Sequence, residues 1–245
     1  AGAAAVIVED NPLPCTLGRA CHHPCELPCL RTHLDDPLAI REIKRFVMDS
    51  ATLPPRDLPS PDGPPKVAVI GAGPCGLAAA EFLARAGIAV TVFEARSTSG
   101  GMVTGSIPGF RAGREPVERD LSWLAAAGVE LLHGQKVGTD VTLAGLRAAG
   151  YRYIVAAAGA QKGVRLGVPG DEATGVWDGL VFLRAARSGQ LSELPGRVAV
   201  VGGGDVAIDC ARTARRLGAG EVTLVYRRSR REMPAQREEI EALLE

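Results

Sequence analysis

Two stretches of this chain repeat one design, and the repetition constrains the fold more than any other feature. In the first, the apolar run Val67-Ala-Val-Ile70 leads into Gly71-Ala72-Gly73-Pro74-Cys75-Gly76. A helical stretch from Leu77 to Ala86 and a second apolar run, Val90-Thr-Val-Phe93, follow. In the second, Val198-Ala-Val-Val201 leads into Gly202-Gly203-Gly204-Asp205-Val206-Ala207, a helical stretch through Leu217, and Val222-Thr-Leu-Val225. Continuous apolar runs of this length suit parallel strands buried on both faces. Strand, G-x-G-x-x-G/A turn, helix and parallel strand together make the dinucleotide-binding βαβ unit. The spacing predicts two Rossmann-type modules, with Val129-Glu-Leu-Leu132 and Tyr153-Ile-Val-Ala156 as further strands between them. The fold class is therefore α/β.

The glycines of such a turn have separate tasks. Gly71 permits the sharp turn, Gly73 lets a pyrophosphate approach the backbone, and Gly76 lets the helix close on the strand. The helix N-terminus then offers free N–H groups and a positive dipole end to the anion. Glu94 ends the second strand of the first unit, where it would accept hydrogen bonds from ribose hydroxyls. In the second unit that place holds Tyr226, followed by Arg227 and Arg228. A carboxylate repels a 2′-phosphate and arginines bind one, so this module should take NADP(H) rather than NAD(H). The bland alternatives are a Gly-rich turn with a surface Glu, and a solvated basic run from Arg227 to Arg231.

Charge excludes other classes. Lys plus Arg number 28 and Asp plus Glu number 28, so the net charge is 28 − 28 = 0. Nucleic-acid and anionic-membrane binders work through a basic excess that this chain lacks. Glycine is frequent, 30 of 245 residues, about 12% against about 7% on average. The opening residues Ala1 to Val8 carry no basic flank and do not read as a secretory signal, and no run is long enough to span a membrane.

The six cysteines are unevenly placed. Cys15, Cys21, Cys25 and Cys29 crowd into one segment with spacing C-x5-C-x3-C-x3-C, while Cys75 and Cys210 stand alone and read as small buried residues. Short-spaced thiolates suit an iron–sulfur cluster in a reducing, cytoplasmic compartment. Zinc is the alternative, although zinc sites usually pair C-x2-C units, which are missing here. His22 and His23 read as polar neighbours of the sulfurs. After the cysteines, Asp36 and Pro37 are placed to start a helix carrying Ile40, Ile43 and Val47. The expected organisation is a helical Cys-rich iron–sulfur domain at 1–50, a Pro-rich linker at 51–65, an FAD module at 66–190 and an NADP(H) module at 191–245. A doubly wound module needs more strands than follow residue 197. The chain is thus expected to be a piece of a longer polypeptide.

The run NPLP, GRAC, HHPCE, LPC and then DDPLAIREIKRF resembles the N-terminal iron–sulfur region of the glutamate synthase small (beta) subunit family, to which the N-terminal half of dihydropyrimidine dehydrogenase is related. The resemblance continues through VAVIGAGPCGLAAA, SIPGFR, AAAGAQKGVRLGVPGD, GGGDVAIDCARTARRLGA and VTLVYRRSRREMPA, nearly the whole chain. It implies an NADPH-dependent iron–sulfur flavoprotein oxidoreductase with FAD in the first module, NADPH in the second and [4Fe-4S] clusters. Electrons would pass from NADPH through FAD to a cluster and on to a partner subunit or domain, the cofactors carrying the chemistry. Carried over, the implied FAD positions are Gly71, Ala72, Gly73, Pro74, Cys75, Gly76, Glu94, Ala95, Gly101, Met102, Arg111, Val137, Ala158 and Gly159. The implied NADPH positions are Gly202, Gly203, Gly204, Asp205, Val206, Arg227 and Arg228. Cys21, Cys25 and Cys29 match ligand cysteines, and Cys15 is added from the spacing. Three departures stand out. Leu17 replaces the family's cysteine before the Gly-Arg pair, no cysteine precedes Cys15, and Lys44 falls near the distal ligand position. Two other readings remain: a truncated electron-relay or scaffold module without a complete flavin site, and a zinc-stapled NADP-binding sensor.

Overall fold

The computed structural model describes residues 2–52, 63 and 65–244. Its elements run α1 (Gly2–Asp10), α2 (Pro14–Ala20), α3 (Ile40–Ser50), β1 (Lys66–Ile70), α4 (Pro74–Arg85), β2 (Ala89–Glu94), α5 (Met102–Gly105), α6 (Glu115–Ala126), β3 (Glu130–His133), α7 (Leu143–Ala148), β4 (Tyr151–Ala156), α8 (Gly179–Ser188), β5 (Arg197–Val201), α9 (Asp205–Arg216), β6 (Glu221–Val225) and α10 (Arg237–Leu244). Two compact units form: residues 1–104 with 111–159, and 105–110 with 160–245. Most of the linker expected at 51–65 lies outside the described residues.

The first unit holds a parallel sheet in the order β3-β2-β1-β4. Val67 pairs with Val90 and Val69 with Val92. Alternation along the strands sends these four valines to one face, where they join Leu77, Ala80 and Ala84 of α4 and Leu124 of α6. Ala68 and Phe93 face the other side with Leu146, and Phe93 meets the Tyr151 ring edge-on at 5.6 Å. The strands are thus covered on both faces, as their unbroken apolar runs require.

Residues Gly2–Asp10 are helical, with Ala4 and Val8 one turn apart on the buried side. They pack with Cys15, Met48 and Trp123 in a second cluster. Truncating a fully buried side chain such as Met48 costs about 2–5 kcal/mol. The helix expected from Asp36-Pro37 begins later, at Ile40, and its N-cap Ala39 offers no side-chain bond. The capping comes from a distant residue instead: Glu26 Oε1 accepts the Arg41 amide at 2.9 Å. No local spacing encodes such a cap.

The second unit has the parallel pair β5–β6, with Val198 beside Val222 and Val200 beside Leu224. Phe182 and Leu183 of α8 and Cys210 and Ala214 of α9 cover this side. Helix α8 therefore joins this unit, which shifts the boundary expected near residue 190. The reverse face is open among the described residues, where Val201 and Val225 are exposed. Burial on both faces, expected from the apolar runs, is met in β1 and β2 but not here.

Candidate functional site

The first glycine turn follows from close backbone approaches. The Gly71 amide donates to the Phe93 carbonyl at 2.8 Å, binding the turn to the neighbouring strand. A Cβ on Gly76 would collide with the Gly71 carbonyl oxygen, so only glycine lets α4 begin here. Gly73 is different. The nearest atom to a Cβ there is Gly101 Cα at 3.8 Å, and a Cβ on Gly101 would in turn lie 2.8 Å from Gly73 Cα. Two bare backbones thus face each other beside the N-terminus of α4, forming an unlined cradle.

Ala72 is bracketed. Its amide donates to Glu94 Oε2 at 2.8 Å, and its carbonyl accepts the Gly100 amide at 2.7 Å. Glu94 Oε1 also accepts the Arg96 amide at 2.9 Å. A carboxylate has about four acceptor sites, so capacity remains for a diol. The structure also brings Ala157 and Ala158 against Gly71. The loop after β3 joins the end of β2 through Gln135, whose amide donates to the Glu94 carbonyl. Val137, half-buried, lies in that loop. Met102 opens α5, while Ala95, Ala158 and Gly159 are exposed and Arg111 is half-buried. Cys75, expected to be buried, is exposed on the first turn of α4.

The second turn repeats the geometry. The Gly202 amide donates to the Val225 carbonyl at 2.9 Å, the counterpart of Gly71 and Phe93. Gly204 resembles Gly73, with only Pro234 at 3.9 Å from a Cβ. Gly203 has another cause: the Tyr226 ring lies on it, and a Cβ would come within 2.6 Å of that ring. The segment after β6 folds back over the turn. Tyr226 donates to the Glu232 carbonyl at 3.1 Å, the Ala235 amide to Gly203, and the Gln236 amide to Asp205 Oδ1 at 3.1 Å. Ser229 and Glu232 form a capping box. Arg227 and Arg228 are exposed on this tied-down loop, and among the described residues neither is engaged in an ion pair. Val206 is exposed on the first turn of α9.

The cysteines divide. Cys21 caps the C-terminal end of α2 and its sulfur accepts the His23 amide at 3.3 Å. Cys29 precedes a short 3-10 turn, and Cys25 is exposed. Half-buried Lys44 faces the Cys21 and Cys25 thiols, and burial lowers its pKa. Cys15 stands apart, fully buried in the apolar cluster. Burial, with the Asp120 carboxylate second, pushes its thiol up to about 12. Cys15 thus sits among Met48, Trp123 and the α1 side chains, in surroundings unlike those of the three more accessible cysteines. Among the described residues no three His, Cys, Asp or Glu converge on one metal-holding point.

Residues 65–245 match the family model of the pyridine nucleotide-disulphide oxidoreductases. The chain belongs to this family. Its residues 1–54 match a second model, dihydropyrimidine dehydrogenase domain II, 4Fe-4S cluster. The beta subunit of a NADPH-Fe(3+) oxidoreductase from Geobacter sulfurreducens is 40% identical over 239 residues, covering 94% of this chain and 35% of that protein. The glutamate synthase [NADPH] small chain of Escherichia coli is 34% identical over 249 residues, covering 95% of this chain and 52% of that one. This chain thus spans about a third to a half of these relatives. FprA of Mycobacterium tuberculosis in complex with NADPH superposes with a TM-score of 0.63 at 22% identity, covering 74% of this chain and 47% of that one, which shows a shared fold.

Members of this family use FAD and NADP(H), and the second match is to a 4Fe-4S model at the N-terminus. The residues present suit these groups. Gly73 and Gly101 place no side chain beside the N-terminus of α4, which suits the approach of a pyrophosphate. The unlined Gly204 and exposed arginines suit a second dinucleotide, and three accessible thiols supply soft donors for a cluster. The family's name implies a redox disulfide, yet Cys75 and Cys210 have no partner cysteine among the described residues. Asp120 and Glu26 escaped the sequence reading, because each acts on a segment far away in the chain.

Proposed function

We propose that this chain is the NADPH-input part of an iron–sulfur flavoprotein and delivers electrons to a partner subunit or domain. One observation carries the reading. Two turns of the same geometry end their second strands in opposite chemistry, Glu94 in one and Tyr226-Arg227-Arg228 in the other. A carboxylate accepts from a free ribose diol, whereas guanidinium groups recognise a 2′-phosphate. The first turn is thus assigned to FAD and the second to NADPH. The relatives support the delivery step, being by name a beta subunit and a small chain.

When bound, the flavin supplies a hydride acceptor and the cluster a one-electron acceptor. This chain's residues bind and orient. Glu94 holds the ribose end of FAD while fixing the turn through Ala72. The bare faces of Gly73 and Gly101 admit the pyrophosphate. Arg227 and Arg228 engage the 2′-phosphate from a loop held in place by Tyr226. Cys21, Cys25 and Cys29 would hold the cluster. No proton-transfer residue is required of the protein.

The test is to purify the full-length protein anaerobically, count flavin and iron per chain, and add NADPH. Stoichiometric flavin that bleaches with NADPH supports the reading. Zinc in place of iron, or a chain without flavin, overturns it.

A further inference from the structure

Three helices of the N-terminal region end on side chains of the first dinucleotide module. The N-terminus of α2 has no cap of its own, since Leu13 makes no side-chain bond there. Asp120 of α6 supplies it: Oδ2 accepts the Thr16 amide at 2.7 Å and Oδ1 the Cys15 amide at 3.2 Å, across more than 100 residues. Its neighbour Arg119 serves the opposite pole of another helix, donating from Nη2 to the Met48 carbonyl at 2.8 Å and the Ala51 carbonyl at 3.0 Å, at the C-terminal end of α3. Arg85 of α4 donates to the Glu9 carbonyl at 2.6 Å, near the end of α1.

Each contact has the sign that the helix end calls for. Helix N-termini present unmet N–H groups and positive charge, and C-termini unmet C=O groups and negative charge. An anion meets the first and cations meet the other two. Asp120 is fully buried, and burial raises its pKa. A carboxylate in such a place is costly unless it is hydrogen-bonded. Helices α2 and α3 flank residues 21–39, and Cys21 is the residue on which α2 ends.

We propose that Arg119 and Asp120 are positioning residues that fix the cysteine segment on the flavin module, so that Cys21 is held in place by a pair nearly 100 positions away. The role in electron delivery rests on the reading above, but the positioning itself does not.

The experiment uses the full-length protein with its cofactors, and the variants Asp120→Ala, Arg119→Ala and Arg119→Lys. Hydrogen exchange is followed at residues 15–21, at residues 40–51 and in strands β1, β2 and β4, together with flavin content, NADPH-driven flavin bleaching and electron delivery to an added acceptor. Expected is exchange about tenfold faster at residues 15–21 in Asp120→Ala and at residues 40–51 in Arg119→Ala, with the strands and flavin bleaching unchanged. Electron delivery falls in both. Arg119→Lys, which keeps a donor for the carbonyls, restores exchange and delivery. Unchanged exchange at these segments in the alanine variants overturns the proposal, and so does a uniform rise that includes the strands. If Asp120→Ala does not fold, Arg119→Ala against Arg119→Lys decides. A wild-type protein without iron would sink the iron–sulfur reading while the exchange result still judges the clamp.

Discussion

Glu94 Oε2 accepts the Ala72 amide at 2.8 Å, so the last residue of β2 is bonded to the middle of the glycine turn that follows β1. One carboxylate therefore shapes the turn and, in the proposed function, also receives the ribose of FAD. Hydrogen bonds to a charged group are worth about 1.5–3 kcal/mol, and 1.4 kcal/mol is tenfold in affinity. Glu94→Ala should weaken FAD binding by about tenfold to a hundredfold, measured by titrating flavin-free protein with FAD. NADPH binding should be untouched. An unaltered FAD affinity would mean that the carboxylate only braces the turn.

Two glycines of that turn should respond oppositely to the same methyl group. In Gly73→Ala the added carbon meets nothing closer than Gly101 Cα at 3.8 Å, so folding should persist while the pyrophosphate is displaced. In Gly76→Ala it strikes the Gly71 carbonyl, and backbone cannot move aside cheaply. A loss of about 3 kcal/mol or more is expected there. Thermal melting with flavin counts separates the two: flavin lost at near-normal Tm for Gly73→Ala, and a lowered Tm for Gly76→Ala.

The thiols should sort by burial. Cys15 and Cys210 are buried and pushed up to about 12, chiefly by desolvation. The thiolate is the reactive form, so at about pH 8 roughly one such thiol in ten thousand is available, rising tenfold per pH unit. Alkylation of the folded protein followed by mass spectrometry should modify exposed Cys75 and spare Cys15 and Cys210 until the chain is denatured. Cys15→Ala should accordingly retain iron, whereas Cys21→Ser and Cys25→Ser should lose it. Full iron in both serine variants would refute the ligand assignment.

Much of the fold was legible because its signals are local. The valines of β1 and β2, the spacing from Gly71 to Gly76 and the terminal Glu94 all speak within one βαβ unit. What escaped was non-local. The cap of α3 comes from Glu26 and that of α2 from Asp120, and neither residue carries a mark of its task in its own neighbourhood. The burial of Cys15 was hidden for the same reason, since its spacing groups it with Cys21 while Met48 and Trp123 pack around it. The exposed Val201 and Val225 show the converse: an apolar run declares that a strand can be covered on both faces, not that it is.

In the proposed function, the residues that end the second strands divide two turns of one geometry between two dinucleotides. Steady-state kinetics with NADPH and NADH, on wild-type full-length protein and on Arg227→Ala and Arg228→Ala, test this division. Losing one charged contact to the 2′-phosphate should raise KM for NADPH about tenfold to a hundredfold. KM for NADH should stay as it was, and the salt dependence of NADPH binding should flatten. Equal losses for NADPH and NADH would contradict it, because the arginines would then serve the loop or a partner rather than the phosphate.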